Sequence, residues 1–138
     1  MTDTFPKTIS ALASALRKRE FSAEALAAYY LEAIRASNGS LNAYLDVYDD
    51  AISQAREADE KFARGETGSP LAGIPIAVKD NILIRGRPAT AGSKMLEHYT
   101  AAYDATVIER LRGAGAVFLG KTNLDEFAMG SSTENSAF

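Results

Sequence analysis

The sequence contains no cysteine and only one histidine, His98, among its 138 residues. The first absence removes disulfides, thiolate metal sites and a cysteine nucleophile, and it suits a reducing compartment. The second leaves no histidine cluster for a metal and no Ser–His pair for hydrolysis. Excess charge of either sign is also missing. Fifteen Lys and Arg against 18 Asp and Glu give a formal charge of −3. The basic residues are scattered, so the chain has no footprint for direct nucleic-acid binding. No run approaches the ~20 apolar residues of a membrane span, and Met1 to Lys7 carries no apolar signal core. These absences set the expectation of a soluble, cytoplasmic chain without membrane contact. With 46% hydrophobic and 24% charged residues, the composition is that of a globular protein long enough for one cored domain.

What is present begins with helices. Ile9, Leu12, Ala13 and Leu16 recur at helical spacing, so Thr8 to Arg19 predicts a short amphipathic helix. Ser22 predicts the N-cap of a second helix, whose apolar face runs from Leu26 to Ile34 and stops at Asn38-Gly39. Leu41 to Tyr48 alternates and reads as a short strand. A third helix follows from Asp49 or Asp50, with Ile52, Ala55, Ala58 and Phe62 on one side, and 65–70 reads as a turn-rich linker.

The stretch Leu71 to Asn81, L-A-G-I-P-I-A-V-K-D-N, reads as the organising strand. It is apolar on both faces, as in a sheet covered on both sides, with Pro75 tolerated near the strand's first residue. Lys79 at its end either brings its amine to water or has it desolvated, and a desolvated amine is a possible base. Asp80 either orients that lysine and the nearby backbone or begins a turn. A run of small residues, Ala89-Thr90-Ala91-Gly92-Ser93, suits close backbone approach. Asp104 then predicts the cap of a helix ended by Gly113 and Gly115, Ala116 to Leu119 a second apolar strand, and Asn123 the cap of a brief helix ending at Gly130. Strand, helix, strand in this order implies a crossover unit and a mostly parallel sheet.

Two motif matches fail on physical grounds. Gly115 to Thr122 fits the phosphate-loop pattern, but Ala116, Val117, Phe118 and Leu119 are strand residues rather than a loop of inward N–H groups. Ile76 to Lys79 resembles the kinase lysine strand but lacks the upstream glycine-rich loop.

Five blocks carry a more specific likeness. They are L-A-G-I-P-I-A-V-K-D-N at 71–81, A-G-S-K-M-L-E at 91–97, Y-D-A-T-V-I-E-R-L at 103–111, G-A-V-F-L-G-K-T-N at 115–123 and D-E-F-A-M-G-S-S-T-E-N-S-A-F at 125–138. In this order they resemble the amidase signature family, and within it the branch of glutamine-hydrolysing subunits of tRNA-dependent amidotransferases. The resemblance implies an α/β fold: the N-terminal part of an α/β/α sandwich with a mixed sheet, preceded by N-terminal helices. It implies one incomplete domain over 1–138, mainly helical over 1–64, with the α/β core starting at 71–138. It also implies a Ser–cis-Ser–Lys mechanism in which Lys79 is the catalytic lysine, and Met129, Gly130 and Ser131 line the substrate cavity. Both triad serines would lie beyond Phe138, so the 138-residue chain alone is expected to be inactive. The implied partners are the B and C subunits of such an amidotransferase, with glutamine as small-molecule substrate and misacylated tRNA reached through the complex. No metal or cofactor is expected in this chain; ATP and Mg would act at one of the partner subunits. Two alternatives stay open, a non-catalytic binding module and a free-standing amidase of small amides.

Overall fold

The computed structural model describes residues 5–66 and 68–138. The first four residues of the N-terminal segment and Thr67 of the expected 65–70 linker lie outside the described residues. Helix α1 spans Ile9–Lys18. The Thr8 hydroxyl accepts from the Ala11 N–H, and Arg19 closes the helix in the left-handed region at φ 57°. Helix α2 spans Ala23–Leu41, with the Ser22 hydroxyl accepting from the Ala25 N–H. Its first amides have a second acceptor. Asp59, on helix α3 (Ala51–Ala63), takes the N–H groups of Ala23 and Glu24 at 2.7 and 3.0 Å. A carboxylate at a helix N-terminus satisfies orphan donors and the helix dipole together.

Helix α2 does not stop at Asn38-Gly39. It runs to Leu41 and ends at Asn42 with φ 49°. The Asn38 side chain instead pairs with both the N–H and the carbonyl of Tyr44, at 2.8 and 2.9 Å. That bond pair tethers strand β1, Tyr44–Val47, which is shorter than the alternation predicts because Leu41 is still helical.

Strand β2 is Pro75–Lys79 and strand β3 is Val117–Thr122, joined through helix α4, Thr106–Gly113. The sheet order is β1-β3-β2, with β3 antiparallel to β1 and parallel to β2. The mixed sheet and the crossover unit therefore match expectation, and Pro75 is the first residue of its strand. Close approach at β3 requires Gly120, where a Cβ would overlap the Asp46 carbonyl oxygen of β1.

Helices α2 and α3 pack on the sheet. The core joins Leu16, Leu26, Phe62, Val78, Ile108 and Phe118. Coverage of both faces of β2 does not hold within this chain. Val78 is buried, but Ala77 and Lys79 are exposed. Two helix caps also differ. Asp104 does not cap α4; its carboxylate accepts from the Arg85 N–H at 2.7 Å and faces Arg112. Asn123 does not cap a helix either. Its side-chain oxygen accepts from the Leu124 N–H and the Ser136 hydroxyl, and the next element is a single 3-10 turn at Glu126–Ala128. Among the described residues no helix is long and apolar enough to cross a membrane.

Candidate active site

Lys79 is the last residue of β2, at the C-terminal end of the parallel pair β2–β3. In open α/β sheets this is the end at which ligands bind. The Asp80 N–H donates to the Thr122 carbonyl at 3.0 Å, and the Ile82 N–H donates back to the Lys79 carbonyl at 3.0 Å. Lys79 therefore stands at the lip where strand becomes turn. Its side chain is exposed and makes no hydrogen bond or ion pair among the described residues. The apolar cradle that would desolvate its amine is not formed by these residues.

The desolvated lysine is Lys121. Its side chain is fully buried on the central strand. The ammonium lies 3.0 Å from Asp80 Oδ1 and donates to the carbonyls of Ile82 and Pro88 at 2.9 and 3.0 Å. Burial pulls its pKa below the ordinary lysine value, against the pull of Asp80 and Asp46. Asp80, itself 1% exposed, uses its other oxygen to accept from both the N–H and the hydroxyl of Thr90. An ammonium has three donors and a carboxylate only acceptors, and here each finds partners.

Residues 127–131 form an exposed loop. Met129 is 76% exposed, and Gly130 and Ser131 are exposed beside it. Their loop is organised by Asp125, whose carboxylate accepts from the N–H groups of Thr133 and Asn135 at 3.0 Å each. Those backbone donors hold its carboxyl below the usual carboxylate range. A Cβ at Gly130 would stand 2.5 Å from Asp125 Oδ2, so any larger residue there must displace that carboxylate. Phe127, Ala128 and Thr133 all have φ between 52° and 62°, a region that non-glycine residues enter at a cost and that clusters at working sites.

The run of small residues at 89–93 links the turn after Lys79 to this loop. The Ala91 N–H donates to the Asp80 carbonyl at 3.3 Å, and the Ala91 carbonyl accepts from the Phe127 N–H at 2.8 Å. The Gly92 carbonyl accepts from the Ala137 N–H at 2.9 Å. Gly92 has φ 67°, and a Cβ there would meet the Leu124 carbonyl oxygen at 2.7 Å. Lys79 thus shares one bonded framework with the loop that carries Met129, Gly130 and Ser131. An open cavity of about 510 Å³ lies elsewhere, lined by Leu41, Thr122, Asn123, Ser136 and Phe138 among others and not by Lys79.

Three supporting residues are not found by sequence reasoning. Lys121 reads only as a failed phosphate-loop lysine, although a lysine continuing an apolar strand signals either a strand end or a buried partner. Thr90 is hidden among small residues. Asp125 carries no signal of its own, because its partners are backbone amides. Among the described residues no group of three or more His, Cys, Asp or Glu is placed to hold a metal.

Comparisons with known proteins place the fold. The family profile described as Amidase matches residues 25–138. The chain is 50% identical over 139 residues to a protein of Acidothermus cellulolyticus named as the A subunit of glutamyl-tRNA(Gln) amidotransferase, covering all of this chain and 28% of that protein. It is 56% identical over 132 residues to a Ralstonia pickettii protein of the same name, covering 95% of this chain and 26% of that one. The crystal structure of native peptide amidase from Stenotrophomonas maltophilia superposes with a TM-score of 0.82 at 35% identity, over 91% of this chain and 26% of that one. The chain spans about a quarter of the length of these relatives. With the profile covering most of its length and the fold shared with amidase structures, the chain belongs to the amidase signature family.

Proposed function

We propose that this chain forms the N-terminal part of a glutamine-hydrolysing amidotransferase subunit, with Lys79 as the base of its active site. The observation that carries the reading is the sequence identity of 50–56% over nearly the whole chain with proteins named as such subunits. Identity with the peptide amidase is lower, at 35%, which favours the amidotransferase over a free-standing amidase. The position of Lys79 suits that role: it stands at the ligand-binding end of the sheet and its turn is tied to the 127–131 loop, while the groups that would desolvate its amine are not among the described residues.

In this reading a serine hydroxyl, a weak nucleophile, gives up its proton through a bridging serine to the Lys79 amine. Both serines belong to the segment that comes next in the longer relatives. The nucleophile attacks the side-chain amide of glutamine, and backbone N–H groups stabilise the oxyanion. As the intermediate collapses the C–N bond breaks, the proton returns through the bridging serine to the leaving ammonia, and water hydrolyses the glutamyl ester to release glutamate. Met129, Gly130 and Ser131 line the substrate cavity. The ammonia passes to a partner assembly of B and C subunits, where ATP and Mg act on misacylated Glu-tRNA(Gln) or Asp-tRNA(Asn).

The test is Lys79→Ala in a protein that joins this chain to the serine-bearing segment. Loss of a triad member is expected to lower glutamine hydrolysis by roughly 10⁴-fold, with the far-UV circular dichroism unchanged. Near-normal ammonia release from that variant would make Lys79 an ordinary strand-end lysine.

A further inference from the structure

We propose that Lys121 and Asp80 are positioning residues, whose buried ion pair holds the Lys79 turn and the 127–131 loop together as one rigid wall. This rests on the reading of Lys79 as the base, although the brace itself does not require that reading.

A buried ion pair is a poor means of gaining stability, because desolvation offsets the attraction and apolar replacements of similar volume do as well or better. What an ammonium supplies and a methyl group does not is three directed donors. Those of Lys121 go to Asp80 Oδ1, the Ile82 carbonyl and the Pro88 carbonyl. The three acceptors mark the start, middle and end of the segment that leaves β2 just after Lys79. This segment contains no helix and no strand, so its shape depends on such cross-links.

The carboxylate then passes the constraint on. Asp80 Oδ2 takes the N–H and hydroxyl of Thr90, and Thr90 Oγ1 accepts from the Gly92 N–H at 3.1 Å. Ala91 and Gly92 in turn hold the amides of Phe127 and Ala137. Each link is a backbone bond or a bond of a buried side chain, so little freedom remains between the ion pair and the second loop.

Amide hydrogen exchange, followed by NMR on a selectively labelled protein that joins this chain to the serine-bearing segment, tests the brace without reference to activity. Thr90→Val keeps the shape of the side chain and removes the hydroxyl. It is expected to speed exchange at the Phe127 and Ala137 amides at least tenfold while the Leu26 and Ile108 amides keep wild-type rates. The Lys79 side-chain Cε–H resonance, which Thr90 does not touch, is expected to shift or broaden. Lys121→Met should give the same pattern more strongly; where that chain does not fold, Thr90→Val decides alone. Wild-type protection at Phe127 and Ala137 in Thr90→Val would overturn the proposal. So would an equal loss at the loops and at Leu26, which would make the network ordinary structural support. Lys79→Ala is expected to leave every one of these rates unchanged. If that variant retained glutamine hydrolysis, the base assignment would fall while the exchange result stood.

Discussion

Lys79 and Lys121 lie on neighbouring parallel strands, one register step apart, with Lys121 opposite Val78. Their environments are opposite. Lys79 is exposed and its amine has no side-chain partner among the described residues, whereas Lys121 is fully buried with its three donors occupied. Desolvation alone would suggest Lys121 as the reactive amine, since burial lowers its pKa. A base needs an open lone pair and access to substrate, however, and Lys121 has neither. The pair shows two settings of one side chain, one exposed and without a side-chain partner among the described residues and one buried with its donors occupied.

The sharpest way to break that contrast is to truncate each lysine. Lys121→Ala leaves the Asp80 carboxylate buried without its counter-charge, a change that costs ~3–5 kcal/mol, a large share of the ~5–15 kcal/mol by which domains are stable. Lys79→Ala removes only an exposed amine and should change stability by less than ~0.5 kcal/mol. Urea denaturation of the two variants measures both. Equal losses would show that the two lysines share the structural load.

A smaller effect is expected in the second loop. Gly130→Ala places a methyl group against the Asp125 carboxylate, which must then release the amides of Thr133 or Asn135. The loop is exposed and the core is far from it, so the stability change should stay near ~1 kcal/mol, with faster exchange confined to the Thr133 and Asn135 amides. A variant with wild-type exchange at both positions would mean that the loop tolerates the methyl group and that glycine is not required.

Much of this framework is legible in the residues, and the rest is not for definite reasons. Ser22 caps as its type predicts, and the apolar run ending in Lys79 is a strand beginning at Pro75, because caps and strands depend on neighbours within a few positions. Asp104 and Asn123 have the composition of caps but find other partners, Arg85 and Arg112 for the first and Ser136 for the second. Helix α2 runs through Asn38-Gly39 because Asn38 pairs with Tyr44 after the turn. Lys121 is the clearest case. Its acceptors lie 33 to 41 positions earlier, so no local window of sequence reveals that it is buried and paired. The likeness to the family points to Lys79 and the 129–131 loop as expected site residues, and the residues bonded around them are visible only once the strands are side by side.

The smallest effect concerns acid, and its sign comes from the bonds that hold Asp125. The backbone N–H groups of Thr133 and Asn135 favour its charged form and lower its pKa from the ordinary value of 3.8. A carboxyl with a depressed folded pKa contributes stability that is complete above the unfolded value and disappears as pH falls through the folded one. Acid should therefore loosen the loop around Met129, Gly130 and Ser131, at a pH below the range where ordinary carboxylates titrate. The amide proton shifts of Thr133 and Asn135 should move together with a midpoint below 3.8, and Asp125→Asn should abolish that step. A midpoint at or above the ordinary carboxylate value would mean that the two backbone bonds do not hold the charge, and the loop would need another anchor. If the Phe127 amide kept its protection through the same titration, the 129–135 loop would be a separable layer, able to open while the wall behind Lys79 stays closed.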